Sequence, residues 1–261
     1  MRINQNTVLL GNKVVLVPYR QQHVPRYHEW MKDPLIQEQT ASEPLTLDEE
    51  YEMQRSWAID EDKLTFIIHA LPQIADDNLA STSSAQNLVS KCTMVGDVNI
   101  FFNEVHKEET DEDDTEQAVG TNPVLKNVQQ QLVFDAECEI MIAEHGHRRK
   151  GMAREALQMM FAFVTASQTP IPVDATQRPT IHPTQSETGP HCSLPIPPSW
   201  LTCKISLKNG PSIKLFESLG FTKHKITEVW QEVEMRLTNH EPAYLGQLGQ
   251  SIRQVLFFPD E

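Results

Sequence analysis

One stretch of this chain, residues 137–156, places a β-strand, a basic turn and an α-helix next to one another. Alternating apolar and polar side chains over 138–142 predict the strand. Three cations at 148–150 follow, and a helix is predicted to begin near Gly151. The apolar face of that helix comprises Ala153, Ala156, Leu157, Met160, Phe161 and Val164. Because the first N–H groups of a helix lack intrahelical acceptors and the helix dipole adds to them, the stretch predicts a site for a phosphate-bearing ligand.

Two common phosphate motifs are absent from this stretch, which contains neither Gly-x-x-x-x-Gly-Lys-Ser/Thr nor Gly-x-Gly-x-x-Gly. It contains instead a run that fits Arg/Gln-x-x-Gly-x-Gly/Ala. The residues of that run are Arg148, Arg149, Lys150, Gly151, Met152 and Ala153. With a strand before it and a helix after it, the run resembles the acetyl-CoA pyrophosphate loop of the GNAT acetyltransferase superfamily. A short motif also occurs by chance, so an ordinary strand-to-helix turn with a solvated basic edge is the alternative.

A second segment, residues 208–221, resembles the Asn-x-x-Ser-x-x-Leu-Phe-x-x-Leu-Gly-Phe pattern with which GNAT domains close the acetyl-CoA site. Two matches in the correct order are more specific than either alone. The segments 13–19, 27–31, 40–47 and 94–99 narrow the resemblance to a group whose members are described as acetylating the N-termini of α- and β-tubulin. The resemblance implies an α/β fold of the α+β type, the GNAT fold, with a mixed central β-sheet flanked by helices.

The remaining sequence predicts a single domain over residues 1–237, interrupted by long polar loop insertions. These are 76–90, rich in Ser, Ala and Asn; 103–131, which contains an acidic run; and 166–199, rich in Pro, Thr, Ser and Gln. Acidic runs cannot bury apolar surface, and prolines remove the N–H donors that helices and strands need. Residues 238–261 are predicted to form a C-terminal tail, with a short docking element at 252–258.

The formal net charge is −14, which argues against a nucleic-acid partner or an anionic membrane partner because both are negatively charged. Much of that charge lies in the acidic run of the second insertion. No apolar run is long enough to cross a bilayer. The four cysteines show no Cys-x-x-Cys spacing, and the N-terminus lacks the pattern of a signal peptide. A reducing compartment, the cytosol or nucleus, is therefore expected.

The resemblance also implies the roles of individual residues at an acetyl-CoA site, with no metal ion. The pantetheine arm would lie along the strand and contact the main chain of Ile140, Met141 and Ile142. The pyrophosphate would lie at the six residues of the basic turn, Arg148 to Ala153. Asn209, Ser212 and Phe216 would form the other wall. As alternatives, Asn209 is a good helix cap and Phe216 is a typical core residue.

Two departures from the family pattern stand out. Arg149 occupies a position that is often glycine, and Ala153 replaces the last glycine of the loop, a change that the pattern allows. The Pro-rich insertion also precedes a strand, predicted at 200–205, where GNAT folds have a short connection. The geometry near that strand is therefore expected to differ from the family pattern.

Glu139 is the candidate general base. Alternation places Glu137, Glu139 and Met141 on one face of the strand and Cys138, Ile140 and Ile142 on the other. A carboxylate on a strand that lines a cleft can accept the proton of an amine, and partial burial raises its pKa toward the working range. The alternative is a solvated strand glutamate. Asn209 is the second candidate for the catalytic centre.

Two further features favour plainer interpretations. His145 and His147 flank a glycine without a recognisable third ligand, which is typical of solvated loop histidines and a weak metal signal. Cys138 is expected to be a small buried hydrophobe, because direct attack by an amine needs no acyl-enzyme.

The resemblance implies direct transfer of an acetyl group from acetyl-CoA to the N-terminal amine of a protein, with tubulin as the acceptor. The competing hypothesis is a GNAT-like module that binds microtubules or another protein and has little catalytic activity. A helix terminus that cradles an anion favours the enzyme, because a pure binding module has no physical need for it.

Overall fold

The computed structural model describes residues 2–72, 85–104, 134–165 and 194–259. Within these ranges nine strands form one sheet in the order β7-β8-β6-β5-β4-β3-β2-β1-β9. The strands are β1 Thr7–Leu10, β2 Val14–Pro18, β3 Lys63–Ala70, β4 Thr93–Glu104, β5 Phe134–Ile142, β6 Leu201–Ser206, β7 Phe221–Thr227, β8 Glu232–Leu237 and β9 Gln254–Phe257. The helices are α1 Val24–Met31, α2 Pro34–Thr40, α3 Leu47–Ile59, α4 Ala85–Val89, α5 Met152–Thr165, α6 Gly210–Glu217 and α7 Pro242–Gly249. This is the predicted mixed sheet flanked by helices.

Local sequence signals set several element boundaries. Thr46 caps α3 by accepting from the N–H of Glu49, and the Glu49 carboxylate accepts from the N–H of Thr46, so the Thr-x-x-Glu pattern sets this helix start. Pro211 lies in the first turn of α6, and Gly220, with φ at +78°, takes the left-handed conformation that glycine favours past a helix end.

The sheet has a separate apolar core on each side. On one side α5 packs against the middle strands, and Cys138, Ile140 and Ile142 point into this core. On the other side α1 and α3 cover the sheet, and Met141 packs there with Tyr27. The predicted alternation along β5 is therefore confirmed, and the two faces of this strand pack in different cores.

Strands β5 and β6 are the only parallel neighbours among the described strands, and they pair over two positions alone. Ala136 lies opposite Leu201, and Glu137 lies opposite Thr202. On its other side, β5 pairs with β4 along its whole length as far as Ile142. The edge of β5 that faces β6 therefore has no strand partner beyond Glu137, and the sheet is split there.

Three predicted boundaries were wrong where the structure describes them. Residues 85–89, placed in the first insertion, form α4, whose Leu88 is buried against β1 and β2. Residues 103 and 104 belong to β4. At the end of the third insertion Ile196 is buried, and its N–H donates to the carbonyl of Val164 over 2.9 Å. The remaining parts of the three insertions, 76–84, 105–131 and 166–193, lie outside the described residues.

The predicted C-terminal tail is an integral part of the domain. Helix α7 packs against α5, and β9 pairs with β1 at the edge of the sheet opposite β7. Leu248, Ile252 and Phe258 are buried there. The expected docking element at 252–258 is thus present as a strand, but the chain from 238 onward is not a tail.

Among the helices of the described segments, none combines the length and the apolar character needed to cross a bilayer.

Candidate active site

The turn between β5 and α5 depends on two residues in the left-handed backbone region. Arg149 has φ at +63° and Gly151 has φ at +80°. A Cβ at Gly151 would lie 2.7 Å from Nζ of Lys13, whose ammonium group donates to the carbonyl of Lys150 over 3.0 Å. Glycine is therefore favoured at 151 by the backbone conformation, whereas the flexible end of the Lys13 side chain can move aside for a Cβ.

A buried carboxylate, that of Glu155, anchors the first turn of α5 to the turn between β1 and β2 near the start of the chain. Glu155 is 8% exposed and accepts hydrogen bonds from the N–H groups of Asn12, Lys13 and Val14 at 2.8, 2.7 and 3.2 Å. The turn between β1 and β2 therefore holds the N-terminus of α5 in place. Sequence reasoning did not find this contact, because a glutamate in a first helical turn is usually a solvated partner of the helix dipole.

The N-terminus of α5 is open to a ligand. Within the described residues, no side chain or loop carbonyl is bonded to the first-turn N–H groups of Met152 and Ala153. Such groups lack intrahelical acceptors and carry partial positive charge. Arg149 lies beside them with an exposed side chain. The turn thus has the donors and charge that suit a pyrophosphate.

A groove of about 510 Å³ runs from this helix terminus toward the centre of the sheet. Its lining includes all but two of the predicted cofactor-contacting residues, with Arg154 and residues of α2 added. The lining residues are Ile36, Gln39, Thr40, Ile140, Met141, Ile142, His147, Arg148, Arg149, Gly151, Met152, Ala153, Arg154, Asn209, Pro211, Ser212 and Leu215. Lys150 and Phe216 are not among them, and Glu139 lies in the adjoining cleft. The predicted basic turn and the Asn209 segment therefore face each other across one groove.

Arg148 is a structural residue as well as a groove residue. Its Nε donates to the carbonyl of Ile142 over 2.7 Å, which closes the end of β5. The next acidic residue, Glu144, accepts from the indole N–H of Trp30 over 2.7 Å and pairs with Arg26. These contacts fix the end of the strand against α1.

Arg154 is a groove residue that the sequence did not indicate. Its guanidinium donates to Oγ of Ser218 over 2.6 Å, next to α6. The available signal was its position three residues after Gly151, which puts a cation on the first turn of α5.

Asn209 lies where the two walls meet and acts as a helix cap. Its Oδ1 accepts from the N–H of Ser212 over 3.2 Å, as the plainer interpretation predicted. Asn209 and Ser212 line both the groove and the neighbouring cleft. Phe216 is 2% exposed and packs edge-on against Phe221, so it is mainly a core residue that borders the cleft.

A second cleft of about 570 Å³ adjoins the groove on the α1 and α3 side of the sheet. The two cavities share six lining residues, Gln39, Thr40, Ile140, Met141, Asn209 and Ser212. The cleft is rich in carboxylates: Glu38, Asp97, Glu137, Glu139 and Glu232. Lys204 pairs with Glu137 across the split strands over 2.6 Å.

The candidate base Glu139 lies in this acidic cleft. Loss of surrounding water, followed by the charges of Glu137 and Asp97, raises the pKa of Glu139 from 4.5 to about 7. The side chain nevertheless reaches solvent at the mouth of the cleft. A carboxyl group with this pKa can take up a proton near neutral pH and release it to water.

Asp97 is a second carboxylate on the floor of the same cleft. It is 2% exposed, and its Oδ2 accepts from the hydroxyl of Tyr27 over 3.2 Å and from Nδ2 of Asn99 over 2.9 Å. Burial raises the pKa of Asp97 from 3.8 to about 6. The sequence contained a signal that went unused, since Asp97 and Asn99 alternate with apolar residues in an otherwise apolar strand.

His145 and Cys138 lie where the plainer interpretations place them. His145 is exposed and lies 3.8 Å from the carboxylate of Asp33. No group of three or more His, Cys, Asp or Glu side chains suited to a metal ion occurs within the described segments. Cys138 is a buried free thiol, and burial raises its pKa well above the ordinary value, which does not suit a nucleophile.

Comparisons with known proteins agree with this geometry. A model of the acetyltransferase (GNAT) domain family matches residues 13–222. An alpha/beta-tubulin-N-acetyltransferase 9 from Homo sapiens is 36% identical over 96% of this chain and 92% of its own length. An N-acetyltransferase 9-like protein from Nematostella vectensis is 35% identical over 92% of this chain and 90% of its own. The solved structure of a GNAT-family acetyltransferase from Bacillus anthracis covers 90% of this chain and 99% of its own, with a TM-score of 0.51 at 10% identity, and resembles it in fold.

Proposed function

Because this chain belongs to the acetyltransferase (GNAT) family, we propose that it transfers the acetyl group of acetyl-CoA to the N-terminal amine of a protein, with α- or β-tubulin as the acceptor. Its activity as an acyltransferase follows from membership of the family. The proposal adds three points: the acetyl donor is acetyl-CoA, the acceptor group is an N-terminal amine, and the acceptor protein is tubulin. The names of the relatives support tubulin, and the two joined cavities support a two-substrate reaction.

The observation that carries the proposal is the meeting of a basic groove and an acidic cleft at the split between β5 and β6. The groove ends at a helix terminus with free N–H groups and Arg149, which suits a pyrophosphate. The cleft contains Glu139 and Asp97, which suit a cationic amine. The anionic donor and the cationic acceptor therefore have separate cavities, which adjoin at the lining residues that they share.

The residues fit acetyl-CoA, which supplies an activated thioester when bound. The N–H groups of Gly151, Met152 and Ala153 would hold the pyrophosphate, with Arg148, Arg149 and Arg154 as the nearby cations. Ile140 to Ile142 lie on the open edge of β5, where backbone groups suit the amide groups of the pantetheine arm. Glu139 would remove a proton from the acceptor ammonium, and Asn209 would face the reacting centre with its amide.

The proposal also places the protein in the cytosol, with the nucleus as the alternative. Cys92, Cys138 and Cys203 are free thiols, which suits a reducing compartment. A net charge of −14 disfavours nucleic acid and anionic membranes as partners at long range.

Calorimetry with acetyl-CoA tests the donor site. We expect Gly151→Asp to weaken binding at least tenfold, because it adds a negative charge and a strained side chain at the helix terminus. Lys225→Gln, on the edge strand β7, makes the same one-unit change in net charge away from the groove and is expected to leave the affinity unchanged. Wild-type protein without measurable binding, or equal affinity for both variants, contradicts the donor site.

Mass spectrometry tests the acceptor. Tubulin dimers incubated with the protein and acetyl-CoA are expected to gain 42 Da at their N-terminal peptides, since acetylation adds C₂H₂O. Acetylation at internal lysines alone contradicts the N-terminal amine. Binding to microtubules without acetylation of any peptide supports the interaction module instead.

A further inference from the structure

Asp97 is a buried carboxylate that no cation compensates in the described part of the chain. Neither lysine nor arginine lies within ion-pair distance of it there, and its two side-chain hydrogen bonds come from neutral donors, Tyr27 and Asn99. Burying a charged carboxylate without a cation is costly. A purely structural polar group at this position would gain nothing from being ionisable, so the arrangement points to a cationic ligand.

The hydrogen-bonding capacity around Asp97 is incomplete on the side of the cleft. Both of its side-chain hydrogen bonds reach Oδ2. Oδ1 of Asn99 is buried and has no partner among the described residues. Glu139 lies directly opposite Asn99 on the adjacent strand, so its side chain is on the same face of the sheet. Asp97, Asn99 and Glu139 all line the cleft.

We propose that Asp97, Asn99 and Glu139 form a three-acceptor site for a primary ammonium group and that Asp97 is a second catalytic carboxylate beside Glu139. The proposal deepens the proposed function and rests on it. A primary ammonium has three N–H donors, and the three acceptor groups lie on one face of two neighbouring strands and line one cleft. Tyr27, which covers Asp97 from α1, holds the carboxylate in place through its hydroxyl.

The proton balance of the reaction determines which proton the carboxylates must remove. The acceptor enters as an ammonium and must lose one proton before its nitrogen attacks the thioester carbonyl. The C–N bond then forms, the C–S bond breaks, and the thiolate takes the second proton of the nitrogen. One proton is left for each turnover, and it passes from Asp97 or Glu139 to water. Glu139 reaches solvent, whereas Asp97 does not, so the proton passes to water from Glu139.

Other titratable groups surround this site. They are Tyr19 and Tyr27 on the α1 side, Glu38 on α2, Glu50 on α3, Glu137 on β5, Lys204 on β6, Lys208 after β6 and Glu232 on β8. Lys204 and Lys208 are the cations of this set; Lys204 is paired with Glu137, and Lys208 is exposed. Because the pKa of Asp97 is raised to about 6 and that of Glu139 to about 7, both groups must lose protons before the site attracts an ammonium fully.

The test compares four proteins on peptides with free N-terminal amines, including the first ten residues of α- and β-tubulin. They are wild type, Asp97→Asn, Glu139→Gln and Glu50→Gln. The last removes a carboxylate that is equally buried but lines neither cavity. We expect Asp97→Asn to lower kcat/KM for the peptide about 100-fold and to leave acetyl-CoA affinity within twofold. Glu50→Gln is expected to stay within threefold of wild type.

The acid limb of the pH profile distinguishes a catalytic role from a structural one. The slope of log kcat/KM against pH is expected to approach two in wild type and one in Asp97→Asn. A peptide with a free N-terminus, measured with CoA in place of acetyl-CoA so that no acetyl group can be transferred, is expected to bind Asp97→Asn about tenfold more weakly than wild type. Wild-type activity with an unchanged slope in Asp97→Asn overturns the role of Asp97, as does a lower activity with an unchanged slope. A wild-type protein that acetylates none of the peptides overturns the proposed function itself.

Discussion

Arg149 is the residue at which backbone geometry and ligand binding have opposite requirements. A non-glycine residue in the left-handed region costs about 1–2 kcal/mol, and φ at Arg149 is +63°. Glycine would adopt this conformation freely, which explains why the family pattern often has glycine there. Arginine adds a positive charge next to the N-terminus of α5. The turn therefore retains strain at a position where a cation is useful to an anion site.

Substitutions at Arg149 separate these two effects. We expect Arg149→Gly to keep or slightly raise the free energy of unfolding, by up to about 1 kcal/mol, while acetyl-CoA affinity falls severalfold. Arg149→Val is expected to lose about 1–2 kcal/mol, because a β-branched residue is disfavoured at positive φ. Urea denaturation and calorimetry give the two quantities. Equal stability of the two variants would argue against the left-handed turn.

At the scale of single residues, the sequence predicts those roles that depend on the local pattern of the chain. The cap at Thr46, the left-handed Gly220 and the alternation along β5 follow from neighbours in the chain. Glu155 was missed because its role depends on a segment that is distant in sequence. Asp97 alternates with apolar residues in β4, but the cleft that it lines is assembled from segments distant in sequence, so this signal went unused. The three N–H groups that donate to Glu155 are 141 to 143 residues away in the chain, and no local pattern reveals such a contact.

Helix α5 illustrates how one element depends on another. The carboxylate of Glu155 satisfies three backbone N–H groups of the turn between β1 and β2. Hydrogen bonds to charged groups contribute about 1.5–3 kcal/mol, and buried donors left without an acceptor add a further cost. The same contact positions the first turn of α5, where the pyrophosphate is proposed to bind.

Removing this carboxylate is expected to affect stability and donor binding together. We predict that Glu155→Ala lowers the free energy of unfolding by about 2–4 kcal/mol and weakens acetyl-CoA binding, whereas Glu155→Gln, which keeps one oxygen acceptor, loses less. Denaturant titration followed by calorimetry measures both. The exposed Glu228→Ala serves as the control and should stay within about 0.5 kcal/mol of wild type. A small loss in Glu155→Ala would show that the turn is held by other contacts.

The short 3-10 helix at 21–23 meets strand β3 through two buried histidines. The rings of His23 and His69 lie 5.6 Å apart, and burial lowers the pKa of His23 to about 3 and of His69 to about 4. Both rings stay neutral in the folded chain, whereas unfolded histidines take up protons near pH 6.5. The unfolded state therefore binds more protons below pH 6.5, so stability falls as the pH is lowered from about 6.5 toward 4.

A phenylalanine at position 69 isolates this contribution. His69→Phe keeps an aromatic ring against His23 but cannot be protonated. Between pH 6 and 4, we expect the free energy of unfolding of wild type to fall more steeply than that of His69→Phe by about 1 kcal/mol per pH unit. Urea denaturation at several pH values measures the difference. His224→Phe, at an exposed position on β7, is the control and should keep the wild-type slope. Parallel slopes in all three proteins would contradict the buried neutral pair.

At the scale of the whole molecule, the sheet extends beyond the segment that matches the family. The family model covers residues 13–222, yet β1 lies before that segment, and β8, α7 and β9 lie after it. Strand β9 completes the edge next to β1, and Arg20 contacts the ring of Phe258 at 4.1 Å from its centroid. The sequence did not predict this closure, because β9 is short and its partner strand is more than 240 residues away in the chain.

The C-terminal segment is therefore predicted to be essential for folding. Phe258 is 3% exposed, whereas its neighbour Phe257 is 51% exposed, so the pair offers a matched comparison of the same residue type. We expect Phe258→Ala to lower the free energy of unfolding by about 3–5 kcal/mol and Phe257→Ala by less than about 1 kcal/mol.

A chain that ends at residue 237 is expected to lose the cooperative unfolding transition, since the truncation removes Leu248 and Ile252 from the core. Thermal and urea denaturation measure these effects. A truncated protein that unfolds cooperatively and binds acetyl-CoA as wild type does would show that residues 238–259 are an appendage to a self-sufficient domain.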